Sequence, residues 1–171
     1  MYKISISNEQ KAFRVNRQRL VRLAEATLAA ERIRRAEISV ALVDDAHIHA
    51  INRKFLGHDY PTDVISFLLE SGASRAAVAP AAGPRARRQS SKPTRAPGRF
   101  LDGEIIISTE TAVQMAAEYG WRPMHELSLY LVHGLLHLCG YDDLTSDDQR
   151  IMREREVEVL GPWKIVPHYV A

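Results

Sequence analysis

The stretch that decides the fold runs from Pro123 to Asp143 and reads PMHELSLYLVHGLLHLCGYDD. Apolar residues occur on every side of its first sixteen positions, as is typical of a helix buried in a protein core. We predict a helix from about Pro123 to Leu138 that stops at Gly140. The remaining elements are expected to pack around this central helix.

Segments with strand and helix patterns alternate before this helix. Predicted strands are Tyr2–Ser7, Glu37–Val43, Val64–Leu69 and Glu104–Ser108, the second rich in β-branched residues. Helices are expected after Asn16, after Asp44 or Asp45, from Ser108 or Thr109 to about Tyr119, and from Thr145 or Ser146 to Gly161–Pro162. The order predicts an α+β fold, in which a small mixed sheet of about four strands packs with about five helices and a metal site lies at the end of the central helix.

One stretch, Ser71–Arg99, has a different composition from the rest. It is rich in Ala, Pro, Arg, Ser and Gly, and between Glu70 and Asp102 the chain has seven basic residues and no acidic one. Too few large apolar residues are present to offset the entropy of ordering, so we predict a disordered basic insert at about 71–99 within a single domain spanning residues 1–171. Basic arms of this kind often bind nucleic acid, and a solvated insert without a partner is the alternative.

Composition also excludes several classes of protein. No apolar run approaches the roughly 18 residues that a membrane span requires, and the N-terminus has no secretory pattern. Cys139 is the only cysteine, so the chain cannot form an internal disulfide. We therefore expect a cytoplasmic protein without a membrane partner.

The residues that carry chemistry are His133, His137 and Asp143. A spacing of four places both imidazoles on one helical face, and Gly140 permits a reversal that would return Asp143 toward them. Histidine nitrogens and a carboxylate oxygen are common ligands of zinc, and three protein ligands leave a coordination position open for water. We predict one zinc ion here, with another divalent metal as the alternative.

Two carboxylates are candidates for proton transfer. Zinc peptidases carry a glutamate directly after the first histidine as general base, whereas this chain has Gly134 there, which argues against a peptidase. Glu126 lies seven residues before His133 on the same helical face, and Asp142 precedes the third ligand. Each is a predicted catalytic residue, although a carboxylate in such a position is more often an ordinary surface or capping residue.

Three blocks of the sequence resemble one known family. The stretch HGLLHLCGYDD (133–143) is similar to the HGxLHLxGYDH signature of the YbeY family of zinc-dependent endoribonucleases. The stretches NRKFLGHDYPTDVISF (52–67) and GEIIIS (103–108) also resemble the family's blocks, in the same order. Glu126, Met152 and Glu156 match further family positions, so the resemblance covers nearly the whole chain outside the insert.

The resemblance implies a cytoplasmic, metal-dependent endonuclease for single-stranded RNA. Its implied role is maturation of the 3′ end of 16S ribosomal RNA and ribosome quality control, with the 16S precursor and the small ribosomal subunit as partners. Two positions depart from the family pattern: Asp143 replaces a histidine, and Leu56 replaces an arginine thought to act in RNA cleavage. A carboxylate makes the metal less Lewis-acidic, and leucine cannot bind a phosphate.

Two other functions remain open at this stage. The chain could be a ribosome-assembly binding factor with a structural metal and weak or no nuclease activity, because Leu56 lacks the family's charge. It could also be another zinc hydrolase, a reading that Gly134 disfavours.

Overall fold

The computed structural model describes residues 1–72 and 99–170, and the statements below concern those residues. In chain order the elements are β1 (Tyr2–Asn8), α1 (Arg17–Ala30), β2 (Ile33–Val43), α2 (Asp45–Ile51), a π-helical turn (Asn52–Leu56), β3 (Val64–Ser71), β4 (Arg99–Ser108), α3 (Thr109–Tyr119), α4 (Pro123–Leu138), α5 (Ser146–Leu160) and a 3₁₀ turn (Gly161–Trp163). The predicted α+β class, with four strands and five helices, is confirmed.

The four strands form one mixed sheet in the order β1-β2-β4-β3. Strands β1, β2 and β4 are parallel, and β3 pairs antiparallel with β4 at one edge. In this register Ile38 of β2 lies between Ile4 of β1 and Gly103 of β4. Side chains on one face of all four strands are therefore aligned toward the same helices.

The two faces of the sheet differ in polarity. Alternate residues of β2 and β4, such as Ile38, Val40 and Ile105, are buried in the main core with α1 and α4. On the opposite face only the end near α2 is apolar, where Val43 and Ile48 form a small second cluster. The rest of that face is polar, so the helices that build the candidate site lie on one side of the sheet.

Helix α4 packs closely against strands β3 and β4. Eleven of its residues are buried, and Gly134 faces the sheet at its middle. A β-carbon at Gly134 would lie 3.0 Å from the Ile105 methyl Cγ2 and 3.0 Å from the Ser66 hydroxyl oxygen. A side chain at this position would therefore force its neighbours on the sheet to shift. Of the helices described, none is long and apolar enough to cross a membrane.

The strands on either side of the predicted insert include its first and last residues. Strand β3 continues to Ser71 and β4 begins at Arg99, because Ser71 pairs with Leu101 and Arg99 pairs with Ile33 of β2. Backbone pairing extends these strands beyond the apolar residues that signalled them. The remainder of the insert, 73–98, lies outside the described residues, so its predicted disorder stays a prediction.

A buried ion pair joins the first and last long helices. The Arg155 guanidinium of α5 donates from Nε to the carboxylate of Glu31, which directly follows α1 and is only 1% exposed. Nη2 of the same arginine donates to the carbonyl of Ala30 at 3.0 Å, and Tyr141 donates its hydroxyl to Glu31 at 3.2 Å. The end of α1 is thus held against α5 and the turn after α4.

Replacing Arg155 by methionine tests this contact. The variant removes the Arg155 guanidinium from the buried Glu31 carboxylate, so we expect the free energy of unfolding to fall by about 3–5 kcal/mol. Urea denaturation followed by circular dichroism measures the loss. Arg150→Met is the matched control, because Arg150 on the same helix forms an ion pair with Glu154 in which both side chains are about 60% exposed. That control should lose less than about 1 kcal/mol, and equal losses would contradict the assignment.

Candidate metal centre

The three predicted metal ligands are brought together by two elements. His133 and His137 lie one turn apart on the last half of α4, and Asp143 lies in the connection to α5. All three side chains are partly buried. The structure therefore places the predicted ligand set at the C-terminal end of the central helix.

The turn after α4 brings Asp143 back toward the histidines. Gly140 has φ 105°, a conformation that L side chains rarely adopt. The Tyr141 N–H donates to the carbonyl of Leu136 at 3.0 Å, and the Gly140 N–H donates to that of His137 at 3.0 Å, which together form a Schellman motif. The reversal predicted from Gly140 thus has an identified geometry.

The donor atoms have the spacing that a metal ion requires. Nε2 of His133 and Nε2 of His137 are 3.0 Å apart. Oδ2 of Asp143 lies 3.4 Å from the first nitrogen and 3.6 Å from the second. Tetrahedral zinc with bonds of about 2.0–2.1 Å sets its ligand atoms roughly 3.3 Å apart, so the residues present fit the ion.

Hydrogen bonds on the far side of each ring orient the two imidazoles. Nδ1 of His133 lies 2.6 Å from Oε1 of Glu156, and Nδ1 of His137 lies 3.1 Å from the carbonyl oxygen of Tyr141. A carbonyl only accepts and a carboxylate prefers to accept, so each Nδ1 carries the proton when its ring is neutral. Both Nε2 lone pairs then point toward the same space, which is the arrangement of metal-binding histidines.

The electrostatics of the centre favour a cation. Burial alone would lower the pKa of His133, but hydrogen bonds with the carboxylates of Asp143 and Glu156 outweigh it and raise the pKa to about 10. Hydrogen bonds from the two histidines hold the pKa of Asp143 well below its usual range. The group therefore concentrates negative charge around the imidazoles, and a positive charge is stabilised there.

His133 and Asp143 open onto a cleft of about 510 Å³ between α3, α4, α5 and the C-terminal segment. Glu126 lines the same cleft and is 2% exposed. The Trp121 indole N–H donates to its Oε2 at 2.6 Å. Burial raises the pKa of Glu126, against the opposing effect of hydrogen bonds from Tyr130 and Trp121. Glu126 thus combines access to the cleft with a raised pKa, as an acid–base group needs.

The other predicted catalytic residue, Asp142, has a different environment. Its carboxylate accepts a hydrogen bond from the backbone N–H of Asp143 at 2.8 Å, and it is not among the residues that line the cleft. Leu56 ends the π-helical turn, is 43% exposed and also lies outside the cleft lining. Catalysis by Asp142 stays a prediction. The hydrogen bond that its carboxylate accepts from the Asp143 N–H stabilises the turn that carries Asp143.

Two residues of the site were not singled out as such from the sequence. Glu156 of α5 bonds His133, and the Tyr169 hydroxyl donates in turn to Glu156. Glu156 was noted only as a matching position, although a carboxylate on the buried face of α5, between Met152 and Val159, was a usable signal. Tyr169 lies far along the chain from its partners, and no local pattern indicates it.

Comparison with known proteins identifies one family. The family model described as "Endoribonuclease YbeY" matches residues 5–164. A protein of that name from Moorella thermoacetica is 40% identical over 162 residues, covering 92% of this chain and 94% of the relative. Another from Pelotomaculum thermopropionicum is 38% identical over 143 residues, covering 83% and 82%.

A solution structure from Thermotoga maritima has a similar fold, with a TM-score of 0.51 at 21% identity, and the match covers 100% of this chain and 97% of the other. At that identity the likeness concerns the fold alone. The match of the family model over most of the chain, together with relatives near 40% identity, shows that this chain belongs to the YbeY family of endoribonucleases.

Proposed function

We propose that the protein is a zinc-dependent endoribonuclease that cleaves single-stranded RNA. We further propose that it acts in the cytoplasm on the 3′ end of the 16S ribosomal RNA precursor, in contact with the small ribosomal subunit. The observation that carries the proposal is the convergence of two Nε2 atoms and one carboxylate oxygen within 3.6 Å of one another at the edge of a cleft. Family membership supplies the substrate class.

Each residue of the site would have a separate role. His133, His137 and Asp143 would hold the ion, which when bound supplies a Lewis acid for a phosphate oxygen and lowers the pKa of a coordinated water. Glu156 keeps His133 in the tautomer that offers Nε2. Glu126 would take or give a proton from within the cleft, because burial raises its pKa toward the working range.

The alternative role, a binding factor with a structural metal, fits the geometry less well. Structural zinc sites usually have four protein ligands and are closed to solvent, whereas the described residues supply three ligands here and the centre borders a cleft. Gly134 also explains why the peptidase pattern does not apply, because its position faces β3 and β4 rather than the cleft. A glutamate there would enter the core.

Replacing His137 by alanine removes one ligand and should abolish both bound metal and RNA cleavage. Metal content of the purified protein would be measured by mass spectrometry, and cleavage on a labelled single-stranded RNA with and without chelator. His47→Ala is the control, because His47 is an exposed histidine of α2 with a side chain 61% exposed.

Resupply of zinc, manganese or magnesium to stripped wild-type protein identifies the ion. Cleavage that persists in chelated protein would contradict the proposal.

Glu156→Gln tests the orientation of His133. The amide keeps the size of the side chain but weakens its hold on the Nδ1 proton, so we expect metal affinity to fall about 10- to 100-fold. Competition with a chromophoric chelator measures the affinity. Glu154→Gln, an exposed position on the same helix, should leave it unchanged. An unchanged affinity in Glu156→Gln would remove this residue from the site.

Deleting 74–97 tests the role of the basic residues between β3 and β4. Because Ser71 and Leu101 are paired neighbours, the few residues left can join the two strands as a hairpin. We expect folding and metal content to be retained, and RNA affinity to fall with a shallower dependence on salt, because fewer phosphate contacts release fewer counterions. Binding titrations at several salt concentrations measure both quantities. An unchanged slope would show that the segment has no RNA contact.

A further inference from the structure

A pair of stacked rings lies in the cleft beside the metal centre. Tyr119 is the last residue of α3, and His168 belongs to the segment after α5. Their ring centroids are 3.6 Å apart with an interplanar angle of 4°, which is a face-to-face stack. Both residues line the same cleft as His133 and Asp143.

The stack is held in place by its surroundings. The His168 ring meets Trp121 edge-on at 5.5 Å and 87°, and it meets Tyr169 at 5.5 Å and 77°. His168 Nε2 also lies 4.0 Å from the carboxylate of Glu126. These contacts fix the plane of His168, and His168 in turn supports one face of the Tyr119 ring.

Tyr119 remains partly exposed, and because His168 covers one face of its ring, we assign this exposure to the other face. The residue is 44% exposed, and among the residues that the structure describes only His168 stacks on it. A rigid aromatic ring with one supported face and one open face is a platform on which a second flat group can stack without reorganisation.

Charge decides which part of an RNA such a platform would bind. The cleft is lined by the carboxylates of Asp63, Glu126, Asp143 and Glu156, and Arg153 is its only lysine or arginine among the described residues. Walls with four carboxylates repel a phosphate except next to Arg153 or a bound cation, whereas a nucleobase is neutral and planar. Base–aromatic stacking is independent of charge and tolerant of sequence.

The platform is connected to the metal ligands through direct contacts. Tyr169, which touches His168, donates its hydroxyl to Glu156, and Glu156 bonds His133 at 2.6 Å. We propose that the open face of Tyr119, backed by His168, is a nucleobase subsite that stacks one base of a single-stranded RNA near the phosphate held at the metal centre. This inference rests on the proposed function, because it takes RNA as the substrate.

The test uses the metal-loaded full-length protein and oligoribonucleotides that carry a single 2-aminopurine at successive positions. Stacking quenches the fluorescence of this base, so binding should quench it most strongly at one position. In Tyr119→Leu the quenching at that position should be lost and the affinity for RNA should fall roughly 5- to 150-fold, the value of one base–aromatic stack. Tyr119→Phe keeps the ring and should retain both.

Tyr60→Leu is the matched control, because Tyr60 is 54% exposed and lies outside the cleft lining. Metal content and circular dichroism establish that each variant is folded and loaded. Quenching that survives in Tyr119→Leu, or that is lost equally in Tyr60→Leu, would overturn the subsite while leaving RNA cleavage intact. Failure of the wild-type protein to bind any RNA would instead overturn the proposed function, so the two failures are distinguishable.

Discussion

Helix α4 forms the centre of the core and also supplies two metal ligands. The rest of the structure depends on both roles, because the core requires apolar side chains and the two imidazoles require polar partners. Eleven of its residues are buried, most of them apolar, and Gly134 lets the helix approach β3 and β4 closely. His133 and His137 lie at its C-terminal end, where His133 lines the cleft. An imidazole so near the core is stable only with polar partners, so the surrounding elements are arranged to supply them.

Those partners connect the site to the stability of the fold. Glu156 comes from α5, and the Tyr141 carbonyl comes from the turn that Gly140 makes possible. Tyr141 also donates its hydroxyl to Glu31, whose carboxylate accepts from Arg155. The same turn and the same helix therefore orient the ligands and hold α1 against α5, so a change in this network acts on stability and metal affinity together.

Local patterns in the sequence predict the metal ligands and most bounds of the helices and strands. The features that they do not predict depend on long-range contacts. The spacing of His133 and His137 and the glycine at 140 are local signals, and α4 has the predicted bounds, Pro123 to Leu138. The first residues of β2 and β4 carry no apolar alternation and are strands only because they pair with each other. Likewise, the stack of Tyr119 on His168 joins residues 49 positions apart in the chain, which no periodicity indicates.

The two departures from the family pattern act in the same electrostatic direction. Asp143 in place of the histidine that the resemblance implies adds a negative charge to the ligand set, and Leu56 in place of the implied arginine removes a positive one. With Glu126 and Glu156 also lining the cleft, its described walls attract an RNA phosphate only at the bound cation and at Arg153. The basic residues between β3 and β4 are the largest concentration of positive charge in the chain. An acidic cleft that binds a base by stacking and a phosphate at one ion does not attract the rest of the RNA backbone. A positive charge elsewhere in the chain has to do so, and the basic insert supplies it.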